Sequence, residues 1–149
     1  MIGMVASWVK PAQCARHWGQ GDSDHHVFVV LLKYAEVRLE RRSVLPGYCS
    51  VVWRHGHIAE PTELKPDDLS GFTRDVVAVG RAIQTSFQPV KMNYLTLGNW
   101  VPHLHTHVLP RYQTDPAPGG PITWSDVHGE EVAHDLLGQQ ARALRTLLG

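Results

Sequence analysis

The sequence predicts an α+β domain: a mostly antiparallel sheet of about five strands with one long helix and a C-terminal helix. Three observations predict it. Short β-branched stretches are bounded by turn residues, one long segment repeats apolar residues at helical spacing, and a second such segment closes the chain.

Residues 14–26, CARHWGQGDSDHH, are rich in Gly, Asp and His and read as a loop. VFVVLLKYAEVRLE (27–40) reads as strand structure, two strands with a break near Lys33-Tyr34. Pro46-Gly47 marks a turn, YCSVVWR (48–54) is the next strand, and HGHIAEPTEL is a polar connection. In PDDLSGFTRDVVAVGRAIQTSFQP (66–89), Phe72, Val76, Val79, Ile83 and Phe87 share one face of a helix. Pro66, Asp67 and Asp68 suit its start, where a missing N–H costs nothing and negative charge meets the dipole; Pro89 ends it. VKMNYLTLG (90–98) is a strand, the segment after Pro102 is the last one, and 114–121 is a Pro/Gly-rich loop. A closing helix over about 129–148 places Val132, Leu136, Leu137, Ala141, Leu144 and Leu148 on one face.

The chain has 149 residues, enough for one domain, expected to span 1–149. Hydrophobic residues at 43% and charged residues at 19% fit a globular protein. With 14 basic and 14 acidic side chains, the balance argues against a nucleic-acid partner. No apolar run suits a membrane helix, and the amino-terminal stretch has no basic leader, so it reads as mature chain. Two cysteines, Cys14 and Cys49, make no disulfide framework; a reducing compartment, the cytoplasm, is expected.

The chemistry lies in HLHTHVLPR (103–111). On a strand, His103, His105 and His107 share one face and Leu104, Thr106 and Val108 the other. Three readings are open: solvated strand histidines, metal ligands, or a row that meets a polyanion. The outer Cα atoms of such a row lie ~13 Å apart, too far for three rings to reach one ion at ~2.1 Å. A pair of rings suits a metal-dependent hydrolase, which remains the rival. The polyanion reading uses all three, because a phosphoanhydride needs both a neutral nucleophile and donors for its oxygens.

HLHTHVLPR, with Gly98-Asn99 before it, resembles the signature of the histidine triad family of nucleotide hydrolases and transferases. LPGYCSVV and HIAEPTEL resemble the family's turn, strand and connection, and the resemblance covers about residues 35–112. It implies a homodimeric α+β protein that attacks the α-phosphorus of a nucleoside phosphate derivative, a dinucleoside polyphosphate or a nucleoside phosphoramidate. His105 would be the nucleophile, His107 would bind phosphate oxygens and His103 would orient the site, with no cofactor needed. The partner is a nucleotide, expected to be an adenine nucleotide. The resemblance also puts Asn99 on phosphate or leaving group and Glu40 on the ribose hydroxyls, with turn capping and a surface carboxylate as the plain alternatives. Arg111 leans towards a structural role.

Three residues depart from the family pattern: Thr106 where an apolar residue is preferred, Tyr48 where a histidine often follows Pro-Gly, and Trp100 beside the amide. Trp100, a candidate substrate-binding residue, puts the leaving-group contacts in question, and Trp100 with Tyr48 keeps open a nucleotide-binding protein with little catalysis. Some members carry a structural zinc, and the resemblance maps Cys14, His17, His57 and His103 onto its ligands, a tetrahedral set. A plain loop thiol is the other reading of Cys14.

Overall fold

The computed structural model describes residues 21–149. Its strands are β1 (His26–Leu31), β2 (Ala35–Glu40), β3 (Cys49–Trp53), β4 (Lys91–Leu95) and β5 (His105–Arg111). Helices among the described residues are α1 (Pro66–Phe87), the four-residue α2 (Trp124–Val127) and α3 (His134–Leu148), with a 3-10 turn at Pro61–Glu63. All pairings are antiparallel, in the order β1-β2-β3-β5-β4. The expected α+β class and five-stranded sheet are what the chain adopts.

The break expected at Lys33-Tyr34 is the β1–β2 turn, closed by Leu32 N–H donating to Ala35 O at 2.8 Å. Its amide at Tyr34 is held by the Asp75 carboxylate of α1 at 2.7 Å. β1 carries an irregularity between Phe28 and Val30, and α3 covers it: Arg145 donates from Nε to Val29 O at 2.8 Å and from a second nitrogen to Phe28 O. Pro-Gly turns β2 into β3 because Gly47 adopts φ +85, a left-handed conformation that side chains resist. Its N–H is received by the buried Gln140 carbonyl of α3 at 3.0 Å.

α1 starts at Pro66 as expected and stops at a left-handed Gln88, just before Pro89. Phe72, Val76, Val79 and Ile83 are buried and Phe87 packs at the margin. They meet Val37, Leu39, Val51, Trp53, Leu104 and Val108 from one face of the sheet, together with Leu137, Ala141 and Leu144 of α3. A smaller cluster, Leu45, Tyr48, Leu109 and Val127, closes part of the other face.

Two expectations need correction. The C-terminal helix begins at His134, not at about 129: residues 130–133 are not helical, and Val132 N–H is tied to Arg41 O at 2.8 Å. With that start the apolar face contains Leu137, Gln140, Ala141 and Leu144, while Leu136 is 47% exposed. The strand expected over 90–98 ends at Leu95, since Thr96 onward leaves the sheet towards the Gly98 turn. Among the described residues no helix is long and apolar enough to cross a membrane.

The register of α3 is testable. Leu144→Ala should cost about 2–5 kcal/mol through lost burial and a residual cavity, and Leu136→Ala within about 0.5 kcal/mol, read from denaturant unfolding. Equal costs would contradict the packing.

Candidate functional site

Strand alternation divides β5 between two tasks. Leu104, Thr106 and Val108 turn to the helices, and His105, His107 and Leu109 to the opposite face. The Thr106 departure is satisfied where it lies: its buried hydroxyl bonds Thr96 Oγ1 at 2.7 Å, which removes the penalty of a lone hydroxyl in a core. On the other face the register sets His26 opposite Glu40 and Ser50 opposite His107, and Glu40 N–H reaches Tyr48 O at 3.0 Å. The sheet therefore collects His26, Glu40, Tyr48, Ser50 and His107 side by side.

Above them opens a cavity of about 540 Å³, a size common for small-molecule sites. His26, Glu40, Tyr48, His105 and His107 form its floor, Leu97 to Val101 one wall, and Trp124 with His128 another. Gly98 turns at φ +75 and delivers Asn99 and Trp100 to that wall; Trp100 is 87% exposed. The Trp124 ring stands edge-on to His107, centroids 4.8 Å apart.

The three histidines do not form one row on the strand. β5 starts at His105; His103 lies in the bend before it and does not line the cavity. The reason is local pairing: Leu104 N–H donates to Ile58 O at 2.6 Å and Trp53 N–H to Leu104 O at 2.9 Å, which bends the chain before the ladder begins. The His103 ring instead donates from Nε2 to Trp53 O at 2.7 Å.

His103 meets His105 through its backbone. The carbonyl of His103 lies 2.7 Å from His105 Nδ1, and a carbonyl can only accept, so Nδ1 carries the proton. Burial pushes the His105 imidazole below its ordinary range, the hydrogen bond to His103 notwithstanding, which favours the neutral ring. Its lone pair is then on Nε2, at the cavity and 3.1 Å from His107 Nε2. This is the form that a nitrogen nucleophile requires.

Glu40 is engaged rather than a plain surface carboxylate. It accepts from His26 Nε2 at 2.8 Å and from Ser50 Oγ at 3.1 Å. Burial alone would raise its pKa, but the hydrogen bond and charge of His26, with His107 and Ser50, outweigh burial and hold it below the carboxylate range. Arg111 serves the fold: its guanidinium binds both Asp115 oxygens, Asn93 Oδ1 and the carbonyls of Ala117 and Gly120, pinning the Pro/Gly-rich loop. It lines a second cavity of about 590 Å³ over β4, apart from the histidines.

Cys14 and His17 lie outside the described residues. The other two residues matched to a zinc site do meet: His57 Nδ1 and His103 Nδ1 are 3.4 Å apart. Two imidazole nitrogens on one tetrahedral ion at ~2.0–2.1 Å would be about 3.3 Å apart, so this half of the set fits zinc. Among the described residues, no group of three or more His, Cys, Asp or Glu could hold a metal ion.

His26, Ser50, Trp124 and His128 escaped the sequence reading. Alternation on YCSVVW offered a signal for Ser50, a polar residue on the same face as Tyr48. Trp124 and His128 follow a loop with no pattern to mark them.

The description HIT domain matches residues 22–114. Among solved structures, a histidine triad protein from Bradyrhizobium japonicum is 22% identical, with a TM-score of 0.78, over 85% of this chain and 92% of its own. One from Marinobacter aquaeolei VT8 is 27% identical, with a TM-score of 0.75, over 83% and 89%. A Zn-bound histidine triad family protein from Mycobacterium smegmatis is 20% identical, with a TM-score of 0.62, over 92% and 91%. No curated protein matches the chain.

The Glu40 pairing has a pH signature. Its folded pKa is depressed, so the stability it contributes is present above the ordinary carboxylate value of ~4.3 and is lost as pH falls through the depressed one. Unfolding free energy measured across that acid range should fall more steeply for the wild type than for Glu40→Gln; parallel curves would contradict the assignment.

Proposed function

Because the chain belongs to the HIT-domain family, whose members are of a nucleotide-binding and hydrolase type, we propose that it is a nucleotide phosphohydrolase or nucleotidyl transferase that works through a covalent nucleotidyl-His105. The substrate class is a nucleoside phosphate derivative, a dinucleoside polyphosphate or a nucleoside phosphoramidate, with an adenine nucleotide the expected one. The observation that carries the reading is the His103 carbonyl on His105 Nδ1, which commits the lone pair to Nε2 at the cavity.

In the first step Nε2 attacks the α-phosphorus in line; the P–N bond forms as the bond to the leaving group breaks, and the leaving group takes that electron pair and a proton from solvent. His107 Nε2–H binds a non-bridging oxygen in the position it holds against His105 in the substrate-free protein. In the second step water, or another acceptor, attacks the same phosphorus and gives up a proton to solvent, the P–N bond returns its electrons to Nε2, and the nucleotide leaves. His103 orients His105, Glu40 faces the ribose hydroxyls, and Asn99 and Trp100 meet the leaving group.

The protein acts as a single-domain homodimer in the cytoplasm, and the chemistry needs no cofactor. Cys14, His17, His57 and His103 would be the ligands of a structural zinc, which would brace the bend carrying the His103 carbonyl.

His105→Asn should abolish turnover across a panel of adenylated compounds, a loss of at least about 10³-fold, while the circular dichroism spectrum stays unchanged. Intact mass should show a nucleotidyl adduct on the wild type and none on the variant; full activity without His105 would remove the mechanism.

A metal-dependent hydrolase predicts the opposite response to chelation. Well below the melting temperature, exhaustive metal removal should leave turnover in place, lower the melting temperature and release zinc that His57→Ala fails to bind. Activity that vanishes with the metal and returns with it would favour metal catalysis instead.

A further inference from the structure

Tyr48 stands at the position where the family often has histidine, and its hydroxyl has no part in the steps above. It is buried at the base of the cavity, 2.7 Å from His107 Nδ1. The direction of that hydrogen bond follows from the chain of contacts leading to it. His105 carries its proton on Nδ1, so its Nε2 presents a lone pair to His107 Nε2 at 3.1 Å. Two lone pairs facing each other at that distance repel; His107 Nε2 therefore carries a proton. At a pH where His107 is neutral the other nitrogen, Nδ1, must then accept.

Among the described residues two hydroxyls face that nitrogen, Tyr48 at 2.7 Å and Ser50 Oγ at 3.3 Å. Ser50 has one proton, and its hydroxyl donates to Glu40 Oε1 at 3.1 Å. Tyr48 is the nearer donor and the one whose proton is not committed to Glu40. Burial first, and the Glu40 charge after it, push the phenol well above its ordinary value, so the hydroxyl stays protonated. An imidazole in the same place would change charge and tautomer near neutral pH; a phenol donates throughout.

We propose that Tyr48 is a positioning residue that holds His107 in its Nε2–H tautomer, keeping a donor aimed at the site of the incoming phosphoryl oxygen. The order of donation is Tyr48 Oη–H to His107 Nδ1, then His107 Nε2–H to His105 Nε2, then His105 Nδ1–H to the His103 carbonyl. When substrate enters, its oxygen takes the His107 N–H and releases the His105 lone pair for phosphorus. No proton changes atom in this exchange. The consequence for turnover rests on the function proposed above, whereas the tautomer belongs to the substrate-free protein.

The tautomer can be read without substrate. Long-range ¹⁵N–¹H correlation spectra of the full chain, recorded above the ordinary imidazole range of ~6.5 and assigned with His107→Gln, report which ring nitrogen bears hydrogen. The wild type should show His107 protonated at Nε2, Ser50→Ala should keep that form, and Tyr48→Phe should shift it towards Nδ1–H. Turnover by Tyr48→Phe should fall about 10–100-fold in kcat, by analogy with removing the outer hydrogen-bond partner of a metal-bound histidine, with KM changed less. A wild-type His107 protonated at Nδ1 would overturn the assignment, even if Tyr48→Phe does not fold; so would a folded Tyr48→Phe with the wild-type tautomer. Should the spectra agree and the wild type turn over no nucleoside phosphate, the role of Tyr48 in holding the tautomer stands and the proposed function falls.

Discussion

The hydrogen bond from His105 Nδ1 to the backbone carbonyl of His103 is the contact on which the rest of the site depends. Imidazole is ambiguous: either nitrogen can carry the proton, and the ring can act as base, donor or nucleophile. A carbonyl removes the ambiguity because it has nothing to donate. A side chain two residues away could have done the same, but it would need a rotamer of its own. Here the backbone does it, held by Leu104 N–H on Ile58 O and Trp53 N–H on Leu104 O. The His103 ring, tied to Trp53 O, fastens the same bend from outside. His103 thus acts at a distance from the cavity, and its ring need not touch a substrate to matter.

That arrangement needs a stiff sheet, and the two faces of the sheet divide the labour. One face is apolar and covered by α1 and α3. The other carries titratable groups close enough to satisfy one another: His26 with Glu40, Ser50 with Glu40, Tyr48 with His107, His107 with His105. Buried polar groups are costly when unpaired, and a network in which each member has a partner avoids that cost while fixing every ring. Gln140 and Arg145 of α3 reach the Gly47 turn and the β1 irregularity, so the C-terminal helix steadies the strands from which the network is built.

The sequence made the architecture legible where periodicity was strong. The α1 face, the break at Lys33-Tyr34 and the Pro-Gly turn all follow from residue spacing and from backbone preferences that tertiary contacts did not override. It misled where an apolar pattern ran past its element. Val132 and Leu136 fit a helical repeat, yet Val132 pairs with Arg41 O before the helix starts and Leu136 faces solvent. The site was half legible. Alternation placed His105 and His107 together, but it also placed His103 beside them, because a pattern cannot show where pairing begins. Tyr48 read as the loss of an imidazole; in three dimensions it supplies a hydroxyl to His107 instead. His26 reaches the site only through its register with Glu40, a long-range fact no local motif encodes.

In the proposed mechanism the identity of the attacking atom follows from where the hydrogen lies on His105, and a neutron crystal structure of the substrate-free protein in deuterated solvent reads that directly. The account predicts deuterium on His105 Nδ1, pointing at the His103 carbonyl oxygen, and none bonded to His105 Nε2. Deuterium on Nε2 with Nδ1 bare would leave the cavity-facing nitrogen without a lone pair and contradict it.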